Sequence, residues 1–145
     1  SDDWIEKRVR GIAIRDELTD EWDKRGVKTE KEYAILTAEI SKATFGITPN
    51  EYKKFKGLKR ENLRDHMNDL ELIFTLLGER VSTEITREED ARGYAQVKGA
   101  AKRGGRIAGN ARIETEKELG HPITSSENYL SEPEKKKKKL IEEKK

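Results

Sequence analysis

Residues 53–79 read KKFKGLKRENLRDHMNDLELIFTLLGE, and their second half decides the fold class. Asn68 carries a side-chain acceptor and Glu71 follows three residues later, the pattern of a helix N-cap with its reciprocal partner. Beyond that start Leu70, Ile73, Phe74, Leu77 and Val81 recur at helical spacing, which predicts one apolar face on a helix reaching about Thr86. Two similar starts precede it. Thr29 with Glu32 opens a helix whose Tyr33, Leu36, Ile40 and Ala43 share a face, just after Gly26 has ended the preceding one. Thr48-Pro49-Asn50-Glu51 combines a cap, a proline at the first helical position and an acceptor at the third. That helix stops near Lys56-Gly57, and residues 60–66 fit a short turn of helix.

From Trp4 to about Arg25 the apolar residues change phase. Ile5, Val9, Ile12 and Ala13 share one side, whereas Leu18 and Trp22 fall with Trp4 on another. The helix either breaks near Leu18-Thr19 or is covered on two sides. No stretch alternates with period two over strand length. The class is all-α, a multi-helix domain with one long capped core helix and a Gly/Ala-rich basic helix near its C-terminus. The helical domain spans 1–130, with Thr124–Glu127 capping a last turn at Tyr129-Leu130, and SEPEKKKKKLIEEKK at 131–145 reads as a charged low-complexity tail.

Charged residues make up 41% of the 145-residue chain and hydrophobic ones 32%, so one thin core is expected, with a second copy (a homo-oligomer) or another partner completing the burial. The absence of cysteine excludes disulfides, thiol catalysis and cysteine-ligated metals. No signal peptide is recognisable and no apolar run approaches the ~18 residues of a membrane span, so a cytoplasmic location is expected. The start at Ser1-Asp2-Asp3, without methionine, suits a fragment of a larger protein.

Residues 91–113, ARGYAQVKGAAKRGGRIAGNARI, contain Arg92, Lys98, Lys102, Arg103, Arg106 and Arg112 and no acid, in a chain with 29 acids. On a helix Lys98, Lys102 and Arg106 form one ridge with Arg112 close by, broadly opposite Tyr94, Val97, Ala101, Ile107, Ala108 and Ala111, with Gly104 among them. The cationic side suits a phosphate backbone or an acidic protein; a solvated face balanced by acids elsewhere is equally compatible. Ala101 and Ala108 mark a small-residue face for close packing against a partner helix. The glycines at 93, 99, 104, 105 and 109 imply close helix approach, a kink, or a segment weakly stable alone. Trp22, off the main phase of its helix, is the expected exposed anchor at a partner interface.

Arg64, Asp65, His66 and Asp69 crowd a helix start. A base at His66 would need a nucleophile that no motif supplies, so a helix-start network outweighs catalysis. His121 lacks the ligand spacing for a metal shared with His66 and fits a helix stop. Asp65, Asp69 and Glu71 do not form a recognisable nuclease pattern. The residues thus suggest no catalytic site, no metal and no cofactor. Tyr94 and Tyr129 could stack on bases but suit core filler better, and Lys135 to Lys139 suit a solubility tail as well as a phosphate contact.

The stretch at 53–79, with AKRGGRIAGNARIETEKELGHPITSSENYL at 101–130, ELTDEWDKRGV at 17–27 and EYAILTAEISKATFGIT at 32–48, resembles the C-terminal region of the DNA-damage-inducible protein D family. Its relatives include phage and prokaryotic antirepressor-like proteins that often carry a BRO-type N-terminal domain. The likeness covers most of positions 4–130 and leaves the tail without support. It implies a non-enzymatic role in the DNA-damage (SOS) response or phage regulation, with DNA or a recombinase–DNA filament as partner. Lys102, Arg103, Arg106 and Arg112 lie in the matching segment. The competing expectation is an oligomerisation or protein-interaction module, with DNA contacted by the N-terminal BRO-type domain.

Overall fold

A computed structural model describes residues 2–127. Five α-helices follow one another: α1 Asp2–Lys24, α2 Glu30–Phe45, α3 Pro49–Phe55, α4 Asp69–Glu88 and α5 Gly93–Leu119, with a 3₁₀ turn at Leu63–His66 before α4. There is no strand among the described residues. The three starts read from sequence are complete capping boxes, at Thr29/Glu32, Thr48/Glu51 and Asn68/Glu71. Each satisfies amide groups that a helix end otherwise leaves without partners. Gly46 and Gly120 close α2 and α5 in the left-handed conformation that glycine adopts without steric cost. The charged tail at 131–145, the turn at Tyr129-Leu130 and the lysines at 135–139 lie outside the described residues.

Cross-helix pairs define the topology. Lys7 meets Asp69 and Glu17 meets Arg80, so α1 and α4 run parallel. Arg15 bonds Thr37 and the Trp22 ring packs tilted against that of Tyr33, which sets α2 antiparallel to α1. Lys102 approaches Glu39 and Arg112 bonds the Thr44 carbonyl, so α5 runs with α2. Ser82 meets Ala101, and a side chain built at Gly78 would meet Ala108, so α5 opposes α4. The four long helices therefore alternate in direction as an up-down-up-down bundle. Arg25 ties the α4–α5 turn, bonding the Ala91 carbonyl at 3.0 Å and the Asp90 carboxylate at 2.9 Å.

The main apolar cluster joins Leu18, Trp22, Val27, Leu36, Ile40, Val97 and Ala101. Trp22 is fully buried, which overturns its assignment as an exposed anchor. It departs from the Ile5–Val9–Ile12 phase because that phase faces solvent. Ile5, Val9 and Ile12 are 52%, 59% and 50% exposed. Helix α1 is unbroken, and it is its later residues that face the core. Ala101 and Ala108 are likewise 0% exposed inside the monomer, so they cannot form an interface with another chain.

The small-residue faces bring α2, α4 and α5 close together. An added Cβ at Gly104 would lie 2.6 Å from the Ser82 nitrogen, and one at Gly105 would lie 2.7 Å from the Ala43 Cβ. A Cβ at Gly109 would overlap the Ala43 carbonyl oxygen. Backbones this close leave no room for large side chains. For that reason α4 sits about a quarter turn from the orientation its apolar stripe predicts. It buries Phe74, Gly78, Ser82 and Thr86, while Ile73 is 55% and Leu70 37% exposed. The hydroxyls on this face are satisfied locally: Ser82 donates to the Gly78 carbonyl at 2.7 Å and Thr86 to that of Ser82 at 2.7 Å.

Candidate nucleic-acid interface

Helix α5 begins at Gly93 with φ 82°, and Arg92 before it makes no side-chain cap. One side of the helix is held by α2 and α4; the other carries the cations. Lys98, Lys102 and Arg106, four residues apart, keep to one outward ridge. Lys98 lies over the Tyr94 ring at 5.9 Å. Lys102 has Glu39 at 4.0 Å, the outer limit of an ion pair, and is 55% exposed. Arg106 is exposed and has no carboxylate partner among the described residues.

The other three predicted cations are differently placed. Arg112 is turned inward: its Nε donates to the Thr44 carbonyl at 2.6 Å and its Nη1 to Glu116 at 2.7 Å, leaving the side chain 15% exposed. Its role is to join α5 to the end of α2, so its assignment to a nucleic-acid surface is corrected. Arg103 grips Glu89 through both guanidinium nitrogens, one of them at 2.6 Å, and that hydrogen bonding holds Glu89 below the usual carboxylate range. Arg92 bonds Asp90 at 2.8 Å, and the Arg92 and then the Arg25 hydrogen bonds hold Asp90 low as well. A phosphate at either arginine would compete with a carboxylate already in place. Acid-free in sequence, the segment is thus partly neutralised by Glu89 and Asp90 of the turn after α4, leaving the three-residue ridge.

The polar cluster before α4 is dispersed among structural contacts. Asp65 pairs with Arg8 at 2.6 Å and Asp69 with Lys7 at 3.1 Å. His66 is buried, and His121 is exposed with its Nδ1 2.9 Å from the Pro122 carbonyl. Among the described residues no group of three His, Asp or Glu side chains is arranged to hold a metal ion.

One buried site escaped the sequence reading. Lys56 and Glu71 are both 0% exposed in their side chains and pair at 2.9 Å. Glu71 also accepts from the Tyr52 hydroxyl, from the Asn68 amide at 2.9 Å and from the Ser125 amide at 3.3 Å. Lys56 donates further to the carbonyls of Ser125 at 2.8 Å and Glu127 at 2.9 Å. With these donors and acceptors matched, the pair joins α3, the start of α4 and residues 125–127. Desolvation, then the Glu71 hydrogen bond, drives the Tyr52 hydroxyl far above its ordinary range. The Glu71 signal was visible as a cap; its long-range partner Lys56 looked like an ordinary helix-end charge.

No protein-family model, curated protein or solved structure matches the chain. The resemblance to the DNA-damage-inducible protein D family therefore stands on the quoted residues alone.

Proposed function

We propose that this chain is a non-enzymatic helical domain of the DNA-damage response that engages the phosphate backbone of DNA, bare or within a recombinase filament, through α5. The observation that carries this reading is the Lys98–Lys102–Arg106 ridge, which keeps three cations in line, Lys102 and Arg106 exposed and Lys98 half-buried over Tyr94, while nearby arginines are paired. Three phosphate contacts correspond to a slope of log K against log salt of about −2 for single strands and about −3 for duplex. Such binding is weak, salt-sensitive and indifferent to sequence, as a filament-tracking or tethered domain requires.

The test is fluorescence anisotropy of labelled single-stranded and duplex DNA across a salt series. Lys98→Ala/Lys102→Ala/Arg106→Ala should keep its fold, since none of these side chains is in the core, and lose the salt-dependent binding. Unchanged DNA affinity in that variant would remove the ridge from the function.

A second reading, homo-oligomerisation, is favoured by a different observation. Ile5, Val9 and Ile12 form a stripe at i, i+4 and i+7 on the outer face of α1, all at least half exposed. A second copy of this chain would cover it by like-with-like helix pairing. In this reading Val9→Glu shifts an assembled species to monomer in sedimentation, and a monomeric parent chain refutes it.

A further inference from the structure

Helix α4 stands between α1 and α5. On one side Lys7 pairs with Asp69, Gly11 lies against the Leu76 side chain and Glu17 bonds Arg80; on the other, Gly104 and Ala108 of α5 face Ser82 and Gly78. Gly78 and Arg80 are two residues apart, about 200° round a helix, so α1 and α5 lie on opposite sides of α4. The same spacing decides what each outer helix turns to solvent. Ile5 and Val9 stand two residues either side of Lys7, so the exposed Ile5–Val9–Ile12 stripe points away from α4. Lys102 and Arg106 stand two residues either side of Gly104, so the cationic ridge also points away from α4, in the opposite direction. Stripe and ridge are back to back on one chain.

The charges beside the stripe select what covers it. Glu6 and Arg10 are exposed on the same side of it, four residues apart, and neither makes an ion pair among the described residues. An antiparallel two-fold pairing of α1 with α1 of a second copy, Ile5 against Val9, brings each Glu6 beside the other chain's Arg10. A parallel pairing would instead set Asp16, the next residue along the stripe, against its own counterpart. On the footing of the phosphate ridge and the α1 pairing proposed above, we infer that this chain forms an antiparallel dimer through α1 that bridges two DNA segments, one on each α5 ridge. At interaxial distances of ~8–10 Å, the order α5–α4–α1 followed by its two-fold copy puts the two α5 helices roughly 40–50 Å apart. Their ridges face outward, so one straight duplex meets only one of them. Two ridges in one particle tether two segments, which a single phosphate-binding surface does not do.

A retention assay tests this, with one duplex fixed to beads and a fluorescent duplex of unrelated sequence in solution at low salt. The parent chain should sediment as a dimer and hold the fluorescent duplex on the beads. Val9→Glu should sediment as a monomer and lower retention at least tenfold, while its affinity for one duplex by anisotropy stays within twofold. Ile73→Glu, at an exposed apolar residue of α4 outside the stripe, should change neither. Glu6→Arg and Arg10→Glu should each weaken the dimer at least fivefold, and the double exchange should restore it. The α5 triple variant should stay dimeric and lose both DNA binding and retention. A parent dimer that binds DNA without holding a second duplex overturns bridging and leaves the two underlying readings standing. A monomeric parent overturns it together with the α1 pairing, and retention unchanged in the α5 variant overturns it together with the phosphate ridge. Retention by monomeric Val9→Glu equal to that of the parent, or a dimer indifferent to both charge reversals, likewise refutes the arrangement.

Discussion

Alanine substitutions at the α5 glycines should change sign along one helix. At Gly99 a new Cβ would meet nothing closer than Arg103 Nη2 at 4.0 Å, so the methyl group has room. Gly99→Ala then gains helix propensity, worth up to about 1 kcal/mol. At Gly104 the same methyl would sit 2.6 Å from the Ser82 nitrogen and 2.7 Å from its Cα. At Gly109 it would collide with the Ala43 carbonyl. Neither neighbour is the end of a flexible side chain; both are backbone of packed helices. Relief requires α5 to move off α4 or α2, and overpacking of this kind costs typically ~1–3 kcal/mol, more than the propensity gained. Expected net effects are thus about +0.5 to +1 kcal/mol for Gly99→Ala and at least −1 kcal/mol for Gly104→Ala or Gly109→Ala. For a domain of this size each kcal/mol moves the melting temperature by roughly 3–5 °C. Circular-dichroism melts with urea titrations at constant m-value measure this directly. The close-packing account fails if Gly104→Ala and Gly109→Ala both match or exceed the parent chain in stability.

Lys56→Met should destabilise by about 3–5 kcal/mol, because it leaves the Glu71 carboxylate buried without its cation; urea unfolding at neutral pH measures this, and a loss below 1 kcal/mol refutes a buried pair. Stability should also fall at both pH extremes. Backbone hydrogen bonds in the capping boxes hold Glu32 and Glu51 below the ordinary 4.5, and arginine hydrogen bonds do the same for Glu89. Folded-state values below the unfolded ones mean this stabilisation is present above about pH 4.5 and lost as pH falls through the depressed values. Tyr52 is shifted the other way, so its contribution is intact below pH 10, its ordinary value, and lost as pH rises beyond it. Urea midpoints across pH should show both limbs, and Tyr52→Phe should flatten only the alkaline one.

The sequence by itself determined where α2, α3 and α4 begin, and the all-α class. A capping box closes between residues three apart, so Thr29/Glu32, Thr48/Glu51 and Asn68/Glu71 are legible without tertiary information. It also placed Lys98, Lys102 and Arg106 on one ridge, since helical geometry alone fixes that spacing. Which face of each helix turns inward was decided by the tertiary structure. Trp22 is buried because α2 and α5 close over the later part of α1, and Ile73 is exposed because glycine, alanine and serine faces let backbones approach more closely than apolar stripes do. Arg112 left the predicted surface for the Thr44 carbonyl, 68 residues away in sequence. Lys56 found Glu71 at a separation of 15 residues, and Arg15 found Glu79 at 64. Partners at such separations follow no helical period, so they emerge only once the bundle has brought its helices together.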